Sequence, residues 1–183
     1  MKKFRYLMAV SLAAIAFVVV NVSAQDAKAI ANSIEIGRQV QKSIKKLPYY
    51  EVYDHIDFTV EGGVVTLTGK VRNATNKDSA ERVVKKIDGV TAVVNNIDIL
   101  PVGGFDERIR RNLYASISNS AGLSRYLWHV NPEVRLIVER GHVTLEGSVY
   151  NQGDKNLAYI AARGVPGVFS VTNNLMVGSS RDQ

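Results

Sequence analysis

The residues best suited to acid–base or metal chemistry are three histidines, and their spacing does not bring them together. None of His55, His129 and His142 has another histidine or a carboxylate at the spacing that places two metal ligands on one helix face. The chain has no cysteine, which excludes a thiol nucleophile and a disulfide framework. The glycine pairs at 62–63 and 103–104 lack the Lys-Ser/Thr of a phosphate-binding loop. The sequence therefore predicts a protein that is not an enzyme and that needs no metal or cofactor.

Binding chemistry has a better candidate in the segment 118–132. It contains Leu123, Tyr126, Leu127 and the only tryptophan, Trp128, beside Arg125 and His129. Aromatic rings suit the headgroup layer of a membrane, and a neighbouring cation favours anionic lipid. The alternative is that the segment folds back and caps its own core or the other half of the chain. The lipid-binding hypothesis takes Arg125, Tyr126, Leu127 and Trp128 as the site, assisted by Arg110 and Arg111.

Two predicted helices carry further cations. Lys42, Lys45 and Lys46 precede Pro48-Tyr49-Tyr50, and Arg108 stands near the two assisting arginines. Charges on a helix most often form its solvated face. Each cation near an anionic membrane contributes only about 1 kcal/mol, so these clusters alone predict weak, salt-sensitive attachment.

The N-terminus has the order of a secretory signal peptide. Lys2, Lys3 and Arg5 precede an apolar run over 7–20, and small residues at 22–24 suit cleavage after Ala24. The apolar run is shorter than the roughly 20 residues that span a bilayer, although an uncleaved anchor is the alternative. Removing three cations reduces the net charge of +6 to near +3, too little to indicate nucleic-acid binding. We expect a periplasmic protein whose membrane contact is peripheral, because no cysteine is present for lipid attachment.

A repeat with a constant offset runs through the rest of the chain. Residues 63–71 read Gly-Val-Val-Thr-Leu-Thr-Gly-Lys-Val, and residues 141–149 read Gly-His-Val-Thr-Leu-Glu-Gly-Ser-Val. The same offset of 78 residues maps Gly89-Val90 onto Gly167-Val168 and Asn95 onto Asn173. This agreement indicates duplication of one unit. The second copy has five extra residues before its first strand, within the segment 118–132.

Each copy is predicted to have the element order α-β-β-α-β. Apolar residues at every fourth position predict the opening helices, at Ile36, Val40 and Ile44 and at Ile109, Leu113 and Ile117. Alternating apolar residues predict a hairpin, followed by an alanine-bearing helix and a last strand over 92–99 or 169–177. A right-handed crossover should make that strand parallel to its neighbour. The fold class is therefore α+β, with two tandem domains, each a small mixed three-stranded sheet covered on one face by two helices.

Six glycines at equivalent places are predicted to be structural: Gly63, Gly69, Gly89, Gly141, Gly147 and Gly167. The first of each copy lies where a hairpin turn favours positive φ. The second marks a bulge or a close approach, by a packed helix rather than by a ligand. The third is expected to stop the second helix. Asn95 and Asn173 share the parity of the inward residues, which favours a buried, hydrogen-bonded amide or a bulge over a ligand contact.

These repeated segments resemble the BON domain (bacterial OsmY and nodulation), present twice. The resemblance rests on the glycine-centred strand, the alanine-bearing helix, and the strands that contain Val93-Val94-Asn95 and Val171-Thr172-Asn173. It implies an OsmY-like exported protein with roles in envelope maintenance, osmotic stress and phospholipid binding. The alternative function is a protein-interaction or holdase-like module that contacts envelope proteins through its strand edges or the sheet faces around Thr66 and Thr68.

The resulting division of the chain has five parts. Residues 1–24 are the signal peptide, 28–100 the first BON-like domain, 101–105 a linker, 106–177 the second BON-like domain and 178–183 a flexible tail. Because each unit is small for a stable core, we expect the two units to pack against each other.

Overall fold

Two successive sets of elements share the order α-β-β-α-β. The computed structural model describes residues 24–128 and 131–178, so the predicted signal sequence up to Ser23 and most of the predicted tail lie outside the described residues. The first unit comprises α1 (Ala24–Ile44), β1 (His55–Glu61), β2 (Val64–Val71), α2 (Ala74–Val84) and β3 (Ala92–Ile99). The second unit comprises α3 (Gly104–Asn119), a 3-10 helix (Leu123–Leu127), β4 (Val134–Glu139), β5 (His142–Val149), α4 (Gln152–Arg163), β6 (Ser170–Asn173) and β7 (Met176–Val177).

Both sheets are mixed, as predicted. In the first unit β1 pairs antiparallel with β2, and β2 pairs parallel with β3. In the second unit β4, β5 and β6 repeat this arrangement. The predicted last strand over 169–177 is interrupted, but its end continues beside β5 as β7 in the same register, with Leu145 opposite Asn173 and Ser148 opposite Met176.

The apolar stripes fill two separate cores. The predicted residues of α1 and α3 are all buried, at 0–4% exposure. They pack with the inward residues of the central strands β2 and β5, with alanines from α2 and α4 beside them. The α+β fold class and its two-helix cover are therefore confirmed. No helix in the described part of the chain is long and apolar enough to cross a membrane.

The glycines explain how the hairpins close. Gly62 and Gly63 have φ of 55° and 85°, and Arg140 and Gly141 have 49° and 80°, the two positive values that a type I′ turn needs. A Cβ on Gly69 would lie 2.2 Å from the His55 carbonyl oxygen. The strand glycines are therefore closely approached by the backbone at the start of the paired strand, β1 or β4, and not by a packed helix as predicted.

Two further local predictions have different outcomes. α2 ends at Val84, before Gly89, and α4 ends at Arg163, before Gly167, so these glycines lie in the following turns and do not themselves stop the helices. The paired asparagines are hydrogen-bonded amides, as favoured. Asn95 donates to the Lys77 carbonyl, and Asn173 donates to the Lys155 carbonyl.

The two units pack against each other through the loop after α1, here called the connecting loop (residues 45–54). The Leu136 amide of β4 donates to the Val52 carbonyl at 2.8 Å, and the Tyr53 hydroxyl donates to the Arg110 carbonyl. Arg135 donates to the Glu51 carbonyl at 2.9 Å. β4 is therefore buried on both faces, whereas a sheet covered only by its own helices would leave one face open.

Candidate lipid-contact surface on the second unit

The inserted segment forms part of the second core. Its 3-10 helix buries Leu123, Tyr126 and Leu127 at 1–2% exposure, where they pack with the residues of α3 and β4. These three residues therefore follow the alternative hypothesis, in which the segment folds back and caps its own core. Tyr126 and Leu127, both expected to contact lipid, are not on the surface in this structure.

Arg125 is held by the same network. Its guanidinium pairs with Asp154 at 2.6 Å and stacks over the rings of Tyr126 and Tyr150. The Tyr126 hydroxyl donates to Asp154 at 2.5 Å and accepts from the Tyr150 amide at 3.0 Å. The hydrogen bonds from Tyr126 and Arg125 lower the pKa of the Asp154 carboxyl, and the bond from Tyr126 is the largest cause. Arg125 is thus positioned by its own unit, although its side chain is partly exposed.

The other predicted residues are divided by burial. Arg110 is 2% exposed and donates to the Val138 carbonyl at 2.8 Å, so it closes the edge of β4 and is not presented to a membrane. Arg111 is exposed, 4.0 Å from Glu107. Trp128 is 71% exposed. His129 lies outside the described residues. The structure therefore does not bring the predicted set together as one exposed site.

A different exposed aromatic cluster lies where the start of α3, the β4–β5 turn and the turn after α4 meet. Phe105 and Phe169 stack with ring centroids 5.8 Å apart, and His142 meets Phe169 edge-on at 6.0 Å. Phe169 is 70% exposed and Phe105 43% exposed. We call Phe105, His142 and Phe169 the aromatic tip.

Glycines form the floor of the aromatic tip. A Cβ on Gly141 would lie 2.6 Å from the Phe169 ring, and a Cβ on Gly167 would lie 3.5 Å from the Phe105 ring. The buried Asp106 carboxylate accepts from the Arg140 and Gly141 amides, which fixes the turn against α3. The rings therefore stand on a rigid base and are held outward.

The exposed charges beside the aromatic tip are cationic. Arg140 lies in the turn next to Gly141, and Arg108 lies one helical turn after Phe105; both are exposed and neither forms an ion pair within the described residues. The neighbouring acids are already engaged: Asp106 is buried and bonded to backbone amides, Glu107 pairs with Arg72 and Arg110, and Glu139 pairs with Lys70. Exposed rings with cations beside them can enter a headgroup layer and attract anionic lipid.

The first unit lacks this surface. The 78-residue offset places Thr91 and Val64 where the second unit has Phe169 and His142. The opening helices precede the five extra residues and align with an offset of 73, so Asn32 takes the place of Phe105, facing Gly89 as Phe105 faces Gly167. Sequence reasoning missed Phe105 and Phe169 because they are 64 residues apart and neither lies in an aromatic-rich segment. Comparing the two copies position by position is the signal that could have found them, since it shows aromatic residues replacing polar or aliphatic ones.

The histidines do not form a catalytic arrangement among the described residues. His142 belongs to the aromatic tip, with Nδ1 2.7 Å from the Ser170 hydroxyl. His55 lies between the units, where burial lowers its pKa. Within residues 24–128 and 131–178, no group of three or more His, Asp or Glu could hold a metal ion.

The protein-interaction alternative would use the edges of the sheets. Some backbone groups at these edges already form hydrogen bonds with other parts of the chain. The Ile56 amide of β1 donates to the Tyr50 hydroxyl, and the Phe58 amide donates to Asp57. On β4, Val52 and Arg110 occupy the edge. Occupied amides and carbonyls leave fewer groups for an added strand.

The tandem α-β-β-α-β units define a class of small duplicated domains. The BON domain model matches residues 35–101 and 105–179, and the chain therefore belongs to the BON domain family. BON domains are generally non-catalytic, are often found in periplasmic proteins and are associated with phospholipid binding. This membership suggests a phospholipid-binding module of the cell envelope.

No curated protein matches the chain. Two solved structures of CdsD, a structural protein of the type III secretion system of Chlamydia trachomatis, are similar at 12% identity. One, of the C-terminal domain, covers 80% of this chain and 98% of its own, with a TM-score of 0.32. The other covers 81% and 94%, with a TM-score of 0.33.

Proposed function

We propose that this is a non-catalytic exported protein that binds anionic phospholipid surfaces reversibly through the aromatic tip of its second unit. The observation that carries the proposal is the exposed, stacked pair Phe105 and Phe169 on a glycine floor, flanked by Arg108 and Arg140. Family membership supports the same class of ligand.

The expected affinity is modest. Full burial of a phenylalanine side chain contributes roughly 1.5–3 kcal/mol, and these rings are already partly covered. Each nearby cation adds about 1 kcal/mol at an anionic surface. The total is comparable to the binding of a single myristoyl chain, which attaches only reversibly, with an association constant of about 10⁴ M⁻¹. Attachment should therefore depend on salt and on the anionic lipid fraction.

The predicted signal sequence would place this surface in the envelope. Cleavage after Ala24 would leave α1 as the first element of the exported protein, with no apolar segment before it. Peripheral attachment through the aromatic tip then becomes the route to the membrane. A role in envelope maintenance under osmotic stress is part of the proposal.

Vesicle co-sedimentation of the exported chain tests the site. The double variant Phe105→Asn/Phe169→Thr gives the second unit the residues of the first and should lose most binding to vesicles that contain phosphatidylglycerol. Trp128→Ala tests the originally predicted segment and should bind like the parent. The proposal fails if the double variant binds as well as the parent, or if the parent binds pure phosphatidylcholine equally at high salt. Loss of binding only in Trp128→Ala would assign the contact to Trp128.

A further inference from the structure

A second aromatic surface lies between the two units, on the connecting loop. A cleft of about 430 Å³ is lined by Pro48, Tyr49, Tyr53, Tyr114, Trp128 and Pro132, among others. Its volume is in the range of sites that hold small ligands or peptide side chains. We call it the aromatic cleft. Tyr50 also lines it, so half of the eight tyrosines and the only tryptophan of the chain converge there.

Three donors that line the aromatic cleft have no partner within the described residues. Within the described residues, no hydrogen bond engages the hydroxyls of Tyr49 and Tyr114 or the indole N–H of Trp128. The carboxylate in the lining, Glu51, is already paired with Arg72 at 2.8 Å. Aromatic faces with outward hydroxyl and indole donors are typical of recognition surfaces, where one end of the ring is apolar and the other polar.

Lysines stand beside the aromatic cleft. Lys42, Lys45 and Lys46 are exposed and form no ion pair with any residue that the structure describes. They line an adjoining groove that ends at Asn131, next to Pro132 of the cleft. The charge complementary to this surface is negative.

We propose that the aromatic cleft binds an extended, acidic, proline-containing segment of another protein. A polyproline II chain has no internal hydrogen bonds, and its prolines have no N–H, so it presents carbonyl acceptors and apolar rings. The aromatic cleft supplies the matching donors and aromatic faces. Acidic residues of the same segment meet the three lysines.

The shape of the site favours a peptide over a membrane. Tyr53 and Tyr114 are partly buried between the units, where the flat face of a bilayer does not reach, while Trp128 stands at the rim. A chain one residue wide can enter such a cleft. This site is separate from the aromatic tip, which carries the proposed lipid contact.

Fluorescence of Trp128 tests the proposal directly, because it is the only tryptophan. The exported chain is titrated with the acetylated and amidated peptide Glu-Pro-Pro-Glu-Pro-Pro-Glu-Pro-Pro. We expect a saturable change in emission below about 1 mM peptide, in the range of weak recognition. A peptide with glycine for proline, or lysine for glutamate, should bind at least tenfold more weakly.

Calorimetry with the same peptide tests the residues. Tyr49→Phe and Tyr114→Phe remove only a hydroxyl each and should weaken binding about fivefold, the scale of one hydrogen bond. Lys45→Ala/Lys46→Ala should weaken it a few-fold at low salt, whereas Lys86→Ala, at an exposed position after α2, should not. Phe105→Asn/Phe169→Thr should bind the peptide like the parent, which separates this site from the lipid contact.

Three outcomes would overturn the proposal. One is no change in Trp128 emission with the acidic proline peptide. Another is that the glycine peptide binds as tightly as the proline peptide, or that both tyrosine variants bind the proline peptide as tightly as the parent. The third is saturation of the Trp128 signal by phosphatidylglycerol vesicles that displace the peptide, which would make the cleft a lipid site.

Discussion

Tyr126 donates to Asp154 at 2.5 Å, and this pair takes the place in the second unit that Asp54 and Asn76 hold in the first. Asp154 and Asn76 are equivalent under the 78-residue offset. Asp54 accepts from the Arg72 amide at 2.6 Å, just as Tyr126 accepts from the equivalent Tyr150 amide. In each unit, a side chain that precedes the first strand thus joins the end of the central strand to the start of the second helix. The carboxylate of the pair lies before the first strand in the first unit (Asp54) and on the second helix in the second unit (Asp154).

Replacing Tyr126 with Phe should destabilise the second unit. The hydroxyl is lost while the Tyr150 amide and the Asp154 carboxylate remain, and leaving a buried donor unsatisfied costs about 1–3 kcal/mol. Urea denaturation followed by circular dichroism measures the loss. Tyr150→Phe, which leaves that backbone amide in place, should be nearly neutral. A Tyr126→Phe variant as stable as the parent would show that water replaces the hydroxyl without cost.

The periodic features of the fold were predictable because they are local and repeated. The four-residue spacing of Ile109, Leu113 and Ile117 predicts a buried apolar stripe on a helix, whichever element packs against it, and the structure confirms this prediction. Hairpin glycines are similarly local, since a turn with positive φ needs them wherever it occurs. Duplication strengthens both predictions because each is made twice.

The candidate site was less predictable because it depends on long-range partners. The composition of the segment 118–132 suits a membrane and a core equally, and only the placement of Asp154 decides that Tyr126 faces inward. Arg110 reads as a surface cation, but β4 packs on α3 and its Val138 carbonyl needs a donor. Phe105 and Phe169 become neighbours only through the fold.

Stability should depend on pH through His55. Its pKa is lowered chiefly by burial; Glu146 and Asp57 nearby oppose this, and Arg135 adds to it. A depressed pKa means that the unfolded chain binds the proton first. The free energy of unfolding is therefore unaffected above about pH 6.5, falls as the pH drops from there to the folded pKa, and levels off below it. The slope should reach at most about 1.4 kcal/mol per pH unit.

Urea denaturation between pH 7.5 and 5 measures this dependence. His55→Gln should remove most of the slope, whereas His142→Gln, at an exposed position, should keep it. An unchanged slope in His55→Gln would assign the dependence to other groups.

The strand glycines should tolerate no side chain. Alanine at Gly69 would place its Cβ 2.2 Å from the His55 carbonyl oxygen, and at Gly147 1.9 Å from that of Glu133, in both cases with positive φ. We expect losses of about 3 kcal/mol or more, the range of severe backbone conflicts. Gly62→Ala is the matched control, because φ is 55° and no atom lies within 4 Å. It should cost about 1–2 kcal/mol for the left-handed conformation alone. Equal losses at Gly62 and Gly69 by chemical denaturation would contradict the steric explanation.

Arg135 should couple the two units. Its guanidinium lies 4.3 Å from the centre of the Tyr50 ring and donates to the Glu51 carbonyl, and both partners belong to the connecting loop. A buried cation–π contact contributes about 2 kcal/mol, and a hydrogen bond from a charged donor about 1.5–3 kcal/mol. Arg135→Ala should therefore lower the stability by about 2–4 kcal/mol and split one calorimetric transition into two, because the units then unfold separately. Arg135→Lys keeps the charge without the planar stacking group and should give an intermediate loss. Lys70→Ala, which removes the more exposed ion pair with Glu139, should cost less than about 1 kcal/mol and leave one transition. A single transition in Arg135→Ala, at the parent's temperature, would mean that the remaining contacts between the units suffice to couple them.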